Sequence, residues 1–181
     1  MAEQAAAALT FEKVWEGLEK TRLIIEETAR QMKETDRRVG ELTNRFGDVV
    51  EHMVVPNLKD KFNELGYDFG KTAPNMVFQD REHNIFAEAD AYLENGNCVM
   101  IVETKVTPTV EDVKDHIDRM EKIRKYADLF NDKRKYLGAI AGVVMNENIK
   151  RYILKQGFYA VMPSGETFSI ISPDHSKLRE W

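Results

Sequence analysis

The chain has one cysteine in 181 residues, Cys98, which excludes an intrachain disulfide and a zinc site built on cysteines. Cys98 falls inside an apolar segment and reads as a small buried hydrophobe. Long apolar runs are also missing. No segment approaches the ~20 residues of a membrane span, and MAEQAAAAL lacks the basic stretch that opens a secretory signal. The expectation is a cytoplasmic protein with no membrane part. An excess of positive charge is absent too: the formal net charge is −5. Bulk charge therefore does not drive this chain onto nucleic acid, although a local basic groove is compatible with that balance. Proline is scarce, with five in the chain and none before Pro56. What remains is 43% hydrophobic and 31% charged, a globular composition of a length for one main domain plus an appendage.

The proline-free start carries a seven-residue period. Phe11, Leu18, Ile25, Met32, Val39 and Phe46 occupy one position, and Val14, Thr21, Thr28, Thr35 and Leu42 the position three further on. A near-repeat, TRLIIEE, TARQMKE, TDRRVGE, runs through the same segment. A sustained heptad predicts a long helix in a left-handed coiled coil. Threonine at three successive seam positions weakens that seam. Two readings follow, self-association through the heptads or a helix folded back on its own domain, and the first is favoured. The expected organisation is a helical arm over 1–45 and a second domain over 46–181.

The second domain opens with a helical pattern, Phe46 to Leu65, which Pro56 is expected to kink or break near Val55. Weak strand signals follow at 67–69 and 76–79. Pro108 breaks the chain, and Thr109 with Asp112 forms an N-cap pair opening a helix that runs to about Phe130. Its inward residues are read as Val113, Ile117, Met120, Ala127 and Phe130. Lys114, Arg119, Lys122, Arg124 and Lys125 are placed on the outer face, and the lone His116 is given no catalytic weight. YLGAIAGVVM at 136–145 is a buried strand, followed by a short helix at 146–156 and strands at 158–162 and 167–171. The tail from 172 is polar and expected to be loose, with Trp181 able to dock. A helical crossover between the strands at 99–105 and 136–145 implies that they pair in parallel. The class is α/β with a mixed sheet.

The chemistry gathers between Ile85 and Lys105. Two strand patterns flank Asn95-Gly96, a strong hairpin signal because both residues tolerate positive φ. With those two as the loop, Glu88 lies opposite Glu103 and Asp90 opposite Ile101. Asp90 and Glu103 are then diagonal neighbours, roughly 7 Å apart, with Lys105 on the same face. Like charges gathered on a sheet are destabilising. A bound Mg²⁺, which takes one or two carboxylates plus water and phosphate, is one explanation; a solvated face neutralised by Lys105 is the other. Glu51, beside Val50 on the preceding helix, reads as an ordinary exposed glutamate.

Asp90, twelve intervening residues, then Glu103-Thr104-Lys105 and a crossover helix resemble the core of the PD-(D/E)XK nuclease superfamily, the restriction-endonuclease-like fold. The whole chain, with its heptad arm and the block RFGDVVEHMVVPNL, is similar to a prokaryotic group placed in that superfamily. The resemblance implies a metal-dependent nuclease hydrolysing phosphodiester bonds in DNA. Asp90, Glu103 and the Thr104 backbone carbonyl would hold Mg²⁺ or Mn²⁺, with Glu51 and Glu88 as further acids, and Lys105 would act on the attacking water and the phosphate. Ala89 stands where the motif has proline, and Glu88 has no assigned role. The alternative is a catalytically silent nuclease-like fold serving as a coiled-coil interaction or regulatory module. It is favoured by the acidic balance and by the lack of a zinc finger or helix-turn-helix.

Overall fold

The computed structural model describes residues 11–165 and 167–181, and for 39–56 and Thr167 the backbone only. The chain divides into two units, Met1–Asn44 and Arg45–Trp181. Helix α1 spans Phe11–Glu64 and continues through Pro56, so the expected break at Val55 does not occur. Proline removes one backbone bond and costs ~3 kcal/mol in a helix interior. Just beyond it Leu58 and Phe62 are fully buried, and burying two such side chains is worth about as much or more.

In the first unit the seven-residue stripe faces solvent: Phe11, Leu18, Ile25 and Met32 are 81%, 58%, 62% and 65% exposed. The Thr21 hydroxyl donates to the Gly17 carbonyl at 2.8 Å. This seam threonine thus satisfies its polar atom within its own helix.

The second unit is built on a six-stranded mixed sheet in the order β1 to β6. The strands are β1 (Lys71–Asp80), β2 (Ile85–Glu94), β3 (Cys98–Lys105), β4 (Lys135–Gly142), β5 (Tyr159–Ser164) and β6 (Thr167–Ile171), with α2 (Val110–Leu129) and α3 (Glu147–Lys155) between them. β3–β4 and β4–β5 are parallel and the other three pairings antiparallel. Each parallel pair is joined by a helix, as an open α/β sheet requires. β1 is longer than the sequence suggests and holds Pro74, which an edge strand tolerates because one side of its backbone needs no partner.

Each face of the sheet has its own core. On one, Val113, Met120 and Ile123 of α2 and Ile149 and Ile153 of α3 pack on Val99, Ile101 and Ile140. On the other, Leu58 and Phe62 of α1 pack on Met100, Val102, Leu137 and Ala139. β3 and β4 contribute to both, which is why their sequences are continuous apolar runs. α2 begins with a reciprocal capping box between Thr109 and Asp112, as the sequence predicts. Its inward face differs: His116 and Ile123 are buried, while Phe130, the C-cap, is 65% exposed. The tail is anchored. Trp181 exchanges backbone hydrogen bonds with Tyr136 at 3.0 and 3.3 Å and stacks on Phe158.

Gly138 of β4 lies where the face under α2 is tightest. A Cβ there would stand 2.4 Å from the Phe158 ring and 3.3 Å from His116 Nε2. Phe158 is fully buried and has nowhere to retreat. Gly138→Ala is expected to destabilise the domain by about 1–3 kcal/mol, the cost of overpacking a dense core, read from the shift of the urea midpoint. No helix among the described residues is long and apolar enough to cross a membrane.

Candidate functional site

The turn joining β2 to β3 sets the site's register and differs from the sequence expectation. The Asn95 N–H donates to the Cys98 carbonyl at 3.0 Å, which makes Gly96 and Asn97 the central residues. The Asn95 side-chain oxygen accepts from the N–H groups of Asn97 and Cys98, both at 2.8 Å. Asparagine thus closes the corner with its own amide instead of occupying the centre, and Gly96 does not use positive φ. Pairing moves two residues along: Tyr92, not Asp90, faces Ile101. The last pair is Ala91↔Val102, so Asp90 and Glu103 are the next residues along each strand, where the regular pairing ends, and the expected Asp90–Ile101 register does not occur.

Asp90 also marks a change of side in β2. Ala87 and Ala89 belong to the core under α2 and α3, while Ala91 and Leu93 belong to the core over α1. Strict alternation along a strand would have kept all four on one face. The β1–β2 ladder skips the Asn75–Asp90 step, and Asn75 there has φ 49°. At this kink the Asp90 carboxylate replaces the ladder. The Thr104 N–H donates to Asp90 Oδ2 at 2.6 Å and the Thr104 hydroxyl to the same oxygen at 2.8 Å. Oδ1 takes neither bond.

Glu103 lies at the carboxyl end of β3, where open α/β sheets present their ligand sites. It is only 4% exposed. Its Oε1 is 3.0 Å from Lys105 Nζ, and its Oε2 accepts from Arg119 of α2. Burial raises the Glu103 pKa, and the nearby Asp90 charge raises it further, against the pull of Arg119 and Lys105. Partial burial works against the Lys105 ammonium, but the Glu103 carboxylate outweighs it and the Lys105 pKa is raised. Lysine is therefore a cation at neutral pH, a point-charge partner for phosphate.

Beside these groups lies a cavity of about 330 Å³ lined by Phe86, Ala87, Glu88, Asp115, Asp118, Arg119 and Lys122. The structure thus places Asp90, Glu103, Thr104 and Lys105 together and puts Glu88 in the adjoining cavity, while the Glu51 side chain lies outside the described residues. Sequence reasoning missed Arg119, one of five basic residues on α2. The available signal was its place flanking the His116–Met120–Ile123 stripe, which only a correct inward face would have exposed.

Beneath the site, His116 is fully buried and neither ring nitrogen makes a well-formed hydrogen bond. Burial pushes its pKa down to about 3, with the Arg119 and Lys105 charges adding to the effect and the Ile101 backbone acting against it. A second polar cluster joins Arg134 to Asp132 and Glu94, with Tyr92 donating to Glu94 at 2.6 Å. The Tyr92 hydroxyl and Arg134 hold the Glu94 carboxyl down to about 2. Its charges are paired internally, as in a structural clasp.

No protein-family model, curated protein or solved structure matches the chain. Among the described residues, no group of three or more histidine, cysteine, aspartate or glutamate side chains is placed to hold a metal ion. The class that fold and site define is an α/β protein with two carboxylates and a lysine at the carboxyl end of a mixed sheet.

Proposed function

We propose that this chain is a divalent-metal-dependent nuclease of the PD-(D/E)XK type that hydrolyses phosphodiester bonds in DNA. The observation that carries the reading is the convergence of Asp90, Glu103 and Lys105 at one kink, with Glu103 buried and Asp90 aimed by Thr104. The donor set fits Mg²⁺ or Mn²⁺: it is all oxygen, and Mg²⁺ is commonly held by one or two carboxylates with water completing its shell. Asp90, Glu103 and the Thr104 carbonyl would hold the ion. Glu88, across the adjoining cavity, is an added acid, and Glu51 is kept as a candidate from the resemblance. When bound, the ion lowers the pKa of water and offsets charge on the phosphate.

The chain's own residues supply the rest. The two Thr104 donors fix one Asp90 oxygen in advance, so the carboxylate needs no reorganisation to bind. Lys105 is 40% exposed at its side chain, so its ammonium reaches both Glu103 and a phosphate oxygen arriving from solvent. It orients the attacking water and stabilises the charge that grows on the phosphate. A cytoplasmic setting, where DNA and Mg²⁺ meet, goes with this chemistry.

Thermal denaturation tests the metal site. Mg²⁺ or Mn²⁺ at 100 times its dissociation constant should stabilise the protein by about 2.7 kcal/mol, because the ion binds only the folded state. Asp90→Asn should abolish that rise in Tm. No shift with either ion in the wild type would remove the metal reading.

One observation favours the second reading, a silent nuclease-like fold acting as an interaction module: the exposed heptad stripe of α1. The stripe fits a second copy of the same helix, because the seven-residue period matches a facing helix that carries the same period. The homo-oligomer is compatible with either reading. Leu18→Asp with Ile25→Asp should lower the mass measured by light scattering, and an unchanged mass would remove the coiled coil.

A further inference from the structure

In the arrangement the structure holds, both Glu103 oxygens already face a cation, so an incoming metal ion meets like charge there. Oε1 faces Lys105 at 3.0 Å and Oε2 accepts from Arg119. The two cations are not equivalent. Lys105 belongs to β3, two residues along the same strand from Glu103. Arg119 comes from α2, and its long side chain, 24% exposed, also lines the neighbouring cavity. Glu88, Asp115 and Asp118 line that cavity too, and none of the three is paired with a cation among the described residues. Asp115 lies four residues before Arg119 on α2, a spacing at which an aspartate and an arginine pair readily.

We propose that Arg119 is an internal counter-ion that occupies the metal position on Glu103, and that metal binding transfers its guanidinium to the Glu88, Asp115 and Asp118 carboxylates. This rests on the reading of Asp90 and Glu103 as metal ligands. A buried carboxylate is costly unless its charge is well compensated, so Arg119, the cation on Oε2 beside Lys105 on Oε1, adds to the stability of the empty site and competes with the ion for that oxygen. The acids across the cavity supply a second resting place for the displaced charge.

The test is direct Mn²⁺ binding, by electron paramagnetic resonance of the free ion and by calorimetry, on the full chain. Arg119→Gln should bind Mn²⁺ at least tenfold more tightly than the wild type while melting at a lower temperature without metal. Asp115→Asn with Asp118→Asn, a change at two exposed positions that leaves the core untouched, should weaken Mn²⁺ binding several-fold. Lys122→Gln removes a cation from the same cavity that does not touch Glu103, and should leave affinity within about twofold. Equal gains in Arg119→Gln and Lys122→Gln would reduce the effect to the general field and overturn the proposal. So would unchanged or weaker binding in Arg119→Gln when the wild type binds, and the metal site itself would then survive. Absence of binding in every variant would remove the metal reading and this one with it. Should Arg119→Gln fail to fold, the aspartate pair decides, and unchanged affinity there rejects the transfer.

Discussion

Lys105→Ala is expected to lower metal-dependent DNA cleavage on the order of 10²–10³-fold, the usual effect of removing one charge-stabilising donor from a reacting centre. Its side chain is partly exposed at the end of β3, and Glu103 keeps Arg119 when Lys105 is lost. The substitution should therefore leave folding close to wild type, so a lost rate is a lost function. Single-turnover cleavage of linear, circular and branched DNA with Mn²⁺ reads the effect. Lys105→Arg should recover only part of the rate, because a planar fork does not reproduce a compact ammonium at a water-sized site. Cleavage that survives Lys105→Ala undiminished would belong to a contaminant. No cleavage of any of these DNAs by the wild type would leave the interaction module as the better reading.

The second large effect is acid sensitivity through His116. Its pKa is held at about 3 in the folded protein, while a histidine in an unfolded chain titrates near 6.5. The folded-state value is depressed, so the contribution is fully present above about pH 6.5 and is lost as pH falls towards 3. Over that window the unfolded chain takes up a proton that the folded protein refuses. Between pH 6 and pH 4 the loss is roughly 2–3 kcal/mol. Urea midpoints at pH 7, 6, 5 and 4 for the wild type and His116→Leu isolate this group from the carboxylates. The difference in unfolding free energy should move steadily in favour of His116→Leu as pH falls. A constant difference would mean that the imidazole finds a protonated state inside the fold. The charged groups facing it, Arg119 and Lys105, make that unfavourable.

Much of the fold was legible because it is written locally. The Thr109–Asp112 capping box, the apolar runs of β3 and β4, and the parallel pairing forced by a helical crossover all depend on neighbours in sequence. The grouping of Asp90, Glu103 and Lys105 was legible too, but the geometry assigned to it was not. A two-residue loop can be centred on Asn95-Gly96 or Gly96-Asn97, and the choice rests on two hydrogen bonds that the Asn95 side-chain oxygen accepts from the Asn97 and Cys98 N–H groups. The kink at Asp90 was hidden because strict alternation is the default for a strand, and the break depends on Asn75 in the facing strand. Arg119 was one basic residue among several on α2 until helix and sheet were docked.

By itself the sequence determined the class of fold, the heptad period of α1 and the identity of the acids and the lysine, because period, caps and residue chemistry are properties of short segments. Only the tertiary structure decided that Tyr92 and not Asp90 faces Ile101, that Thr104 holds Asp90, that His116 is sealed in the core and that Arg119 sits on Glu103. Each of these depends on which side chains from distant segments share a small volume from which water is excluded. That is set by register and packing, and no local pattern encodes it.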